Sequence, residues 1–96
     1  MSTSQRLREH RDEILRVAAS HGAGNNHLFG SVARGEDMPE SDIDLLVDVT
    51  GDTTPWFPGS MVVDLEQILG RRVQVVIRRS LSPLIRDAVL REAVPL

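Results

Sequence analysis

The sequence contains no cysteine, no lysine and no tyrosine, and it has only three aromatic residues. Without cysteine, disulfide bonds, thiolate zinc sites and cysteine nucleophiles are all excluded, so packing alone must stabilise the fold. The basic residues are all arginine, which is typical of a biased genomic base composition, because only some arginine positions use the planar guanidinium fork. So few aromatic rings leave little surface for stacking on nucleic-acid bases.

Long hydrophobic runs are also missing. No apolar segment approaches the roughly 20 residues that a bilayer crossing needs, and residues 2–13 are polar and charged. We therefore expect a soluble, cytoplasmic protein with no membrane contact. A length of 96 residues with 41% hydrophobic content predicts one domain over residues 1–96, since domains usually have about 100 to 150 residues.

The net charge of −3 gives no reason to expect attraction to nucleic acid or to an anionic membrane. Charge is nevertheless segregated along the chain. All charges from Glu36 to Glu66 are acidic, whereas the segment from Arg71 to Arg91 has six arginines and one acid, Asp87. Such segregation indicates either two solvated faces or a metal site beside a phosphate-binding or partner-binding surface.

Hydrophobic periodicity, caps and turn residues predict alternating helices and strands. The first helix should follow a Ser2 cap paired with Gln5, and the last should follow a Ser82 cap. The buried stripe of the first helix is predicted to consist of Leu7, Ile14, Val17 and Ala18. We expect helices over residues 4–21, 31–34, 60–69 and 83–92, strands over residues 27–29, 43–49 and 73–77, and an edge strand over residues 94–96. Residues 23–26 are predicted to form a turn. This order of elements is typical of an α/β (α+β) domain.

One spacing carries chemical information: Gly30-Ser31, ten intervening residues, and then Asp42-Ile43-Asp44. Because side chains two apart in a strand share a face, Asp42 and Asp44 should project together. Two carboxylates held so close repel each other unless a cation lies between them. Mg²⁺ suits such a pair, because it is commonly held by one or two carboxylates plus substrate phosphates.

The glycine-serine half of the motif suits a phosphate. Gly30 allows a sharp backbone turn and a close approach to a ligand, and Ser31 is placed where a short helix begins. Arg34 lies one helical turn further on, where it reaches either a phosphate or solvent. Taken alone, each half also fits a simpler interpretation, namely a turn with a helix cap and an acidic strand start.

The combined motif resembles that of the minimal nucleotidyltransferases of the DNA polymerase beta-like superfamily. The resemblance rests on Gly30 to Gly35 followed by Ser41-Asp42-Ile43-Asp44-Leu45. It implies the polymerase beta-like fold, a small mixed sheet flanked by helices. It also implies that Ser31 contacts a triphosphate, that Asp42 and Asp44 are the catalytic residues and hold Mg²⁺, and that the nucleotide substrate is ATP. Family members commonly act as antitoxins that pair with a helical toxin of the HEPN class and, in some cases, adenylylate it.

The third strand departs from that family pattern. Relatives usually carry a third carboxylate there, whereas this chain has Gln74 in the run Val73-Gln74-Val75-Val76. An amide oxygen can ligate Mg²⁺ but has no charge and cannot act as a general base. The sequence therefore leaves two hypotheses: an antitoxin that transfers AMP to a toxin hydroxyl, and a catalytically degenerate module that neutralises its partner by binding alone. A third, an RNA-binding domain, is disfavoured by the acidic charge and the few aromatics.

Other chemically suggestive residues are expected to be structural. His10, His21 and His27 have no metal-ligand spacing. Trp56-Phe57-Pro58-Gly59 is expected to pack the entry to the third helix, with stacking on a base or contact with a partner as the alternative. The arginines flanking the third strand are expected to form a solvated fringe, with an acidic partner or the phosphate tail as the alternative; they are Arg71, Arg72, Arg78 and Arg79.

Overall fold

A computed structural model describes residues 2–96. It contains five α-helices, one 3₁₀ turn and four strands within that range, in the order α1 Thr3–Glu9, α2 Arg11–Ser20, β1 Ala23–Phe29, α3 Gly30–Arg34, β2 Ile43–Val49, α4 Gly59–Leu69, β3 Val73–Ile77, a 3₁₀ turn Arg78–Ser80, α5 Pro83–Glu92 and β4 Val94–Pro95. The strands form one sheet in the order β3-β2-β1-β4. The predicted α/β class and the small mixed sheet flanked by helices are confirmed.

The sheet is mixed because β1 and β2 are antiparallel whereas β2 and β3 are parallel. The parallel connection runs through α4, which ends at Gly70 in the left-handed conformation (φ 66°) that a glycine adopts without steric cost. The register places Asp44 directly opposite Gln74. Asp44 also pairs with Phe29, the last residue of β1, so the end of β1 lies next to the start of β2.

The first predicted helix, residues 4–21, is wrong in one respect: it is two helices that meet at His10. The predicted start is confirmed, because the Ser2 hydroxyl accepts a hydrogen bond from the Gln5 N–H while the Gln5 side chain accepts one from the Ser2 N–H. His10 leaves the helical region (φ −97°, ψ 13°). The break allows α1 to contact α3 while α2 packs on β1 and α4.

The predicted turn at residues 23–26 is also wrong, because β1 begins at Ala23. The glycine and asparagine residues form an irregularity within the strand, where the pairing with β2 shifts between Gly24 and His27. Asn25 adopts a positive φ of 51°, which asparagine tolerates better than most residues. Residues 23–26 therefore favour a turn locally, but their pairing with β2 makes them part of the sheet.

The sheet packs through both faces. Ile43, Leu45 and Val47 lie in the main core with buried residues of α1, α2 and α4, among them the predicted Leu7, Ile14 and Ala18. The opposite face has a smaller core of Leu46, Leu81 and Val89, formed with α5. Asp44 shares this second face with Leu46, two residues further along β2. α5 therefore lies on the side of the sheet that carries the acidic motif.

Ser82 caps α5 as predicted, since its hydroxyl accepts a hydrogen bond from the Leu84 N–H. No helix within residues 2–96 combines the length and the apolar character needed to span a bilayer.

Candidate active site

The site lies where β1 passes into α3, beside the start of β2. Gly30 has a positive φ of 72°, and its Cα faces Asp44 so closely that a Cβ there would overlap Asp44 Oδ2 and lie 3.2 Å from Asp44 Cγ. A glycine is therefore required both by the backbone conformation and by the carboxylate packed against it. The predicted glycine corner and the second aspartate of the motif are brought together.

The two aspartates are close enough to affect each other. The pKa of Asp44 is raised, chiefly because burial disfavours its charged form and then because the negative charges of Asp42 and Glu92 lie nearby. The charge of Arg34 acts in the opposite direction, but it is the smallest of the four causes. A half-buried carboxylate whose ionised form is disfavoured by its neighbours is a group that a cation would stabilise.

Asp42 has one partner of opposite charge. Arg72 Nε lies 3.1 Å from Asp42 Oδ1, which makes an ion pair at an exposed arginine. The same Oδ1 atom is shielded from solvent and receives no well-aligned hydrogen bond within residues 2–96. Contact at that distance without hydrogen-bond alignment leaves lone pairs of Oδ1 available to a ligand, and an ion pair with an exposed arginine is weak.

These observations fit a divalent metal. A buried carboxylate oxygen without a hydrogen bond and a second carboxylate with a raised pKa are the donors that Mg²⁺ prefers. The described residues contain no group of three or more histidine, cysteine, aspartate or glutamate side chains arranged to hold a metal. Asp42 and Asp44 would thus be the acidic ligands, with substrate phosphates and water completing the shell.

Ser31 and Arg34 both lie on α3, which follows Gly30 directly. Ser31 is half-buried and Arg34 is exposed. Arg34 donates from Nη1 to Glu92 Oε2 at 2.9 Å and from Nε to Glu36 Oε2 at 3.1 Å. Both residues lie at the Gly30 corner, as predicted.

Gln74 is exposed and lies opposite Asp44 in the parallel ladder. Residues opposite each other on neighbouring strands project to the same face, so the amide stands beside the acidic pair. Its position therefore agrees with that of a third ligand, and its carboxamide supplies no charge there.

Arg71 does not belong to the solvated fringe that the sequence predicts for the arginines around β3. Its Nη2 donates to the carbonyl oxygens of Met38 at 3.1 Å and Ser41 at 2.7 Å, and its Nη1 donates to Asp37 at 3.3 Å and to the Thr3 hydroxyl. The backbone carbonyl of Arg72 also accepts a hydrogen bond from the Ile43 N–H. Arg71 and Arg72 therefore fix the loop that delivers Asp42.

The contact between Arg71 and Asp37 leads to a prediction about acid stability. The pKa of Asp37 is lowered, chiefly by the hydrogen bond from Thr3 and then by the one from Arg71. The Asp37 side chain is only 12% exposed and that of Arg71 only 17%. A carboxyl with a lowered folded-state pKa stabilises the fold above its unfolded pKa of about 3.9, and the contribution is lost as pH falls through the lower folded value. Asp37→Asn should therefore lower the free energy of unfolding at pH 7 by about 1 to 2 kcal/mol.

Urea denaturation at pH 7 and at about pH 3 measures this effect, and the difference between wild type and variant should shrink at the lower pH. Asp12→Asn is the control, because Asp12 is almost fully exposed and pairs only with an exposed arginine. An equal deficit of Asp37→Asn at both pH values would show that the contact is not electrostatic.

The remaining residues singled out in the sequence lie elsewhere. His21 contacts Asp64 at 2.7 Å and Ser60 at 3.2 Å, which ties the end of α2 to α4. Arg78 pairs with Asp48 and also contacts His27 Nδ1 at 3.1 Å, so it too departs from the predicted fringe. The packing expected of the segment 56–58 holds for Phe57, which contacts the core, but not for Trp56, which is 76% exposed.

Comparison with known proteins identifies the family. Residues 7–96 match the family model described as a nucleotidyltransferase domain. The chain belongs to the nucleotidyltransferase domain family. The resemblance inferred from the Gly-Ser and paired-aspartate motif is thus confirmed.

Relatives of this nucleotidyltransferase align over most of its length. A protein of Methanocaldococcus jannaschii named as a candidate protein adenylyltransferase is 34% identical over 88 residues, covering 92% of this chain and 95% of the relative. The protein adenylyltransferase MntA of Thermococcus cleftensis is 41% identical over 69 residues, covering 70% of this chain and 68% of that protein.

Solved structures agree with the fold. A candidate minimal nucleotidyltransferase that is 44% identical superposes with a TM-score of 0.83, covering 100% of this nucleotidyltransferase and 97% of the other chain. A toxin-antitoxin structure with AMP-PNP is 22% identical and has a TM-score of 0.74, covering 88% of this chain and 69% of that chain. The latter likeness shows a shared fold.

Proposed function

We propose that this nucleotidyltransferase is an antitoxin that binds ATP with Mg²⁺ and neutralises a HEPN-family toxin by transferring AMP to one of the toxin's hydroxyl groups. The observation that carries the proposal is the packing of Asp44 against the Gly30 corner, with Asp42 close enough to raise the pKa of Asp44. The adenylyltransferase names of the relatives support the reaction type, and the fold shared with a toxin-antitoxin structure supports the antitoxin role.

The proposed reaction assigns a task to each residue. Asp42 and Asp44 hold Mg²⁺, which when bound neutralises charge on the phosphates and favours departure of pyrophosphate. Gly30, Ser31 and Arg34 bind the β- and γ-phosphates. The toxin hydroxyl oxygen attacks the α-phosphorus, a new P–O bond forms, and the bond to the β-phosphate bridging oxygen breaks. Pyrophosphate leaves, and the hydroxyl proton passes to solvent.

The proposed transfer needs a surface on the protein where the toxin docks. α5 offers a place for it, because Leu84 is 94% exposed and Ile85 and Leu90 are also largely exposed. Arg79, Arg86 and Arg91 form no ion pair with another residue of the segment 2–96. Such a surface fits a partner that presents apolar and acidic side chains.

A second candidate function is a degenerate module that neutralises the toxin by binding alone. Gln74 favours it, because the amide beside Asp44 cannot accept the proton of the attacking hydroxyl. The two candidates differ in whether nucleotide binds and in whether label is transferred. A ligand that binds only the native state raises Tm, so a thermal shift with ATP and Mg²⁺ tests the first point.

Transfer is tested by incubating the protein with the toxin, Mg²⁺ and ATP labelled at the α-phosphate. We expect label on the toxin and none in the absence of Mg²⁺. No label from the wild type, with Tm unchanged by the nucleotide, would leave the binding module as the function.

Replacing Gln74 with aspartate should increase the rate of transfer by about tenfold or more, because it adds a third carboxylate beside the metal ligands. The rate of labelling at saturating ATP measures the change. Gln67→Asp is the matched control, since Gln67 is an exposed glutamine on α4 and the substitution adds the same charge away from the site. Equal rates for Gln74→Asp and wild type would show that the third position does not limit this enzyme.

A further inference from the structure

Glu92, the last residue of α5, joins the C-terminal helix to the Gly30 corner. Its Oε1 atom accepts a hydrogen bond from the Gly30 N–H at 2.7 Å, and its Oε2 atom accepts one from Arg34 Nη1 at 2.9 Å. The side chain is 28% exposed, so water reaches it only in part. One carboxylate thus connects the backbone and the arginine that flank the proposed phosphate site.

The bond to Gly30 constrains the part of the backbone that matters most. Gly30 has a positive φ, and its Cα packs against the Asp44 carboxylate, so a small rotation of this residue would move the corner relative to Asp44. A glycine has wide conformational freedom unless its surroundings hold it. The short bond from its N–H to a charged acceptor is the stronger kind of hydrogen bond and provides that constraint.

The bond to Arg34 constrains a long, exposed side chain. A free arginine loses much rotamer entropy when it binds a phosphate, whereas an arginine already held in place loses less. Arg34 donates from Nη1 to Glu92 and from Nε to Glu36. Its Nη2 donates to none of residues 2–96. The guanidinium is therefore held at two of its nitrogens while the Nη2 donors remain for a ligand.

We infer that Glu92 is a positioning residue for the triphosphate, which holds Gly30 and Arg34 in the arrangement that receives the β- and γ-phosphates. The inference rests on the proposed nucleotide binding and deepens it. The lowered pKa of Glu92, caused chiefly by the Gly30 N–H and also by Arg34, is consistent with a carboxylate that stays ionised between these donors. Glu92 acts through Gly30 and Arg34 and need not touch the reacting atoms.

The alternative role for Glu92 is competition with the triphosphate. A carboxylate bound to Gly30 and Arg34 resembles a phosphate, so Glu92 would compete with the triphosphate and would have to leave before ATP binds. The two roles predict opposite signs for the change in affinity. Positioning predicts weaker binding of ATP when Glu92 is removed, whereas competition predicts tighter binding.

The experiment compares Glu92→Ala and Glu92→Gln with wild type by measuring Kd for ATP and for AMP in Mg²⁺ by titration calorimetry. Glu92→Ala should weaken ATP binding by about 10- to 100-fold, as expected for losing hydrogen bonds to charged groups, and should change AMP binding little. The Kd of Glu92→Gln for ATP should lie between those of wild type and Glu92→Ala, because its amide oxygen still accepts a hydrogen bond from the Gly30 N–H. Asp87→Asn removes one exposed carboxylate from the same helix and should match wild type.

Loss of ATP affinity that is selective over AMP and partly rescued in Glu92→Gln would support the inference. Unchanged or tighter ATP binding in either variant, or an equal loss for ATP and AMP, would overturn it. If Glu92→Ala does not fold, Glu92→Gln alone decides between these results. A wild-type protein that binds no ATP would overturn the proposed function itself and this inference with it, so the two failures are distinguishable.

Discussion

Replacement of Asp44 by asparagine should reduce AMP transfer by about 100-fold or more while leaving the fold intact. The amide keeps the shape of the side chain but removes the charge that would hold the metal. Burial and the neighbouring charges of Asp42 and Glu92 disfavour the Asp44 carboxylate in the folded protein, as its raised pKa shows. Removing that charge should therefore leave Tm unchanged or raise it.

Opposite changes in activity and stability distinguish a catalytic carboxylate from a structural one. Labelling of the toxin from ATP measures the first, and Tm without nucleotide measures the second. Asp52→Asn serves as the control, because Asp52 is an exposed aspartate in the loop after β2. Full transfer activity in Asp44→Asn would remove Asp44 from the mechanism, and a fall in Tm equal to that of a core substitution would indicate a structural role.

The parts of the fold that the sequence predicted correctly depend on local signals. The strand Ile43–Val49, the start of α5 at Ser82-Pro83 and the end of α4 at Gly70 each follow from residues within a few positions. The break at His10 and the extension of β1 back to Ala23 do not, since both depend on what the segment packs against. Periodicity cannot distinguish one long helix from two helices that bury the same stripe.

The acidic half of the site was predictable for the same reason, whereas its supports were not. Asp42 and Asp44 are two residues apart, so any strand brings them together. Glu92 is 62 residues from Gly30, and Arg71 is 30 residues from the Ser41 carbonyl that it binds. A glutamate at a helix end and an arginine after a glycine have no sequence signature that identifies such contacts. Only the topology, which places α5 and the residues before β3 beside the motif, reveals these contacts.

For Gln74, the family resemblance predicts a position but not a role. The motif implied that residue 74 occupies a third position, and the parallel register places it opposite Asp44. Whether an amide suffices at position 74 depends on how much the reaction needs a proton acceptor. The role of Gln74 therefore stays a prediction, and the gain expected from Gln74→Asp tests it.

Gly30→Ala should reduce transfer to the same extent as Asp44→Asn, through displacement of Asp44 rather than through loss of charge. The new methyl group would overlap Asp44 Oδ2, and alanine at φ 72° adds backbone strain of about 1 to 2 kcal/mol. The Asp44 side chain can rotate away to relieve the overlap, so the protein should still fold. The rotation removes the carboxylate from the corner, and ATP-dependent transfer is lost with it.

Gly70→Ala separates the two effects. Gly70 has a similar φ of 66°, but a Cβ there would have no atom within 4 Å, so this variant has the backbone strain without the overlap. Both variants should lose a similar amount of unfolding free energy, measured in urea, while only Gly30→Ala loses transfer. Equal activity in the two variants would mean that Asp44 can leave the Gly30 corner without consequence, and the proposed cradle for the metal-bound triphosphate would then be wrong.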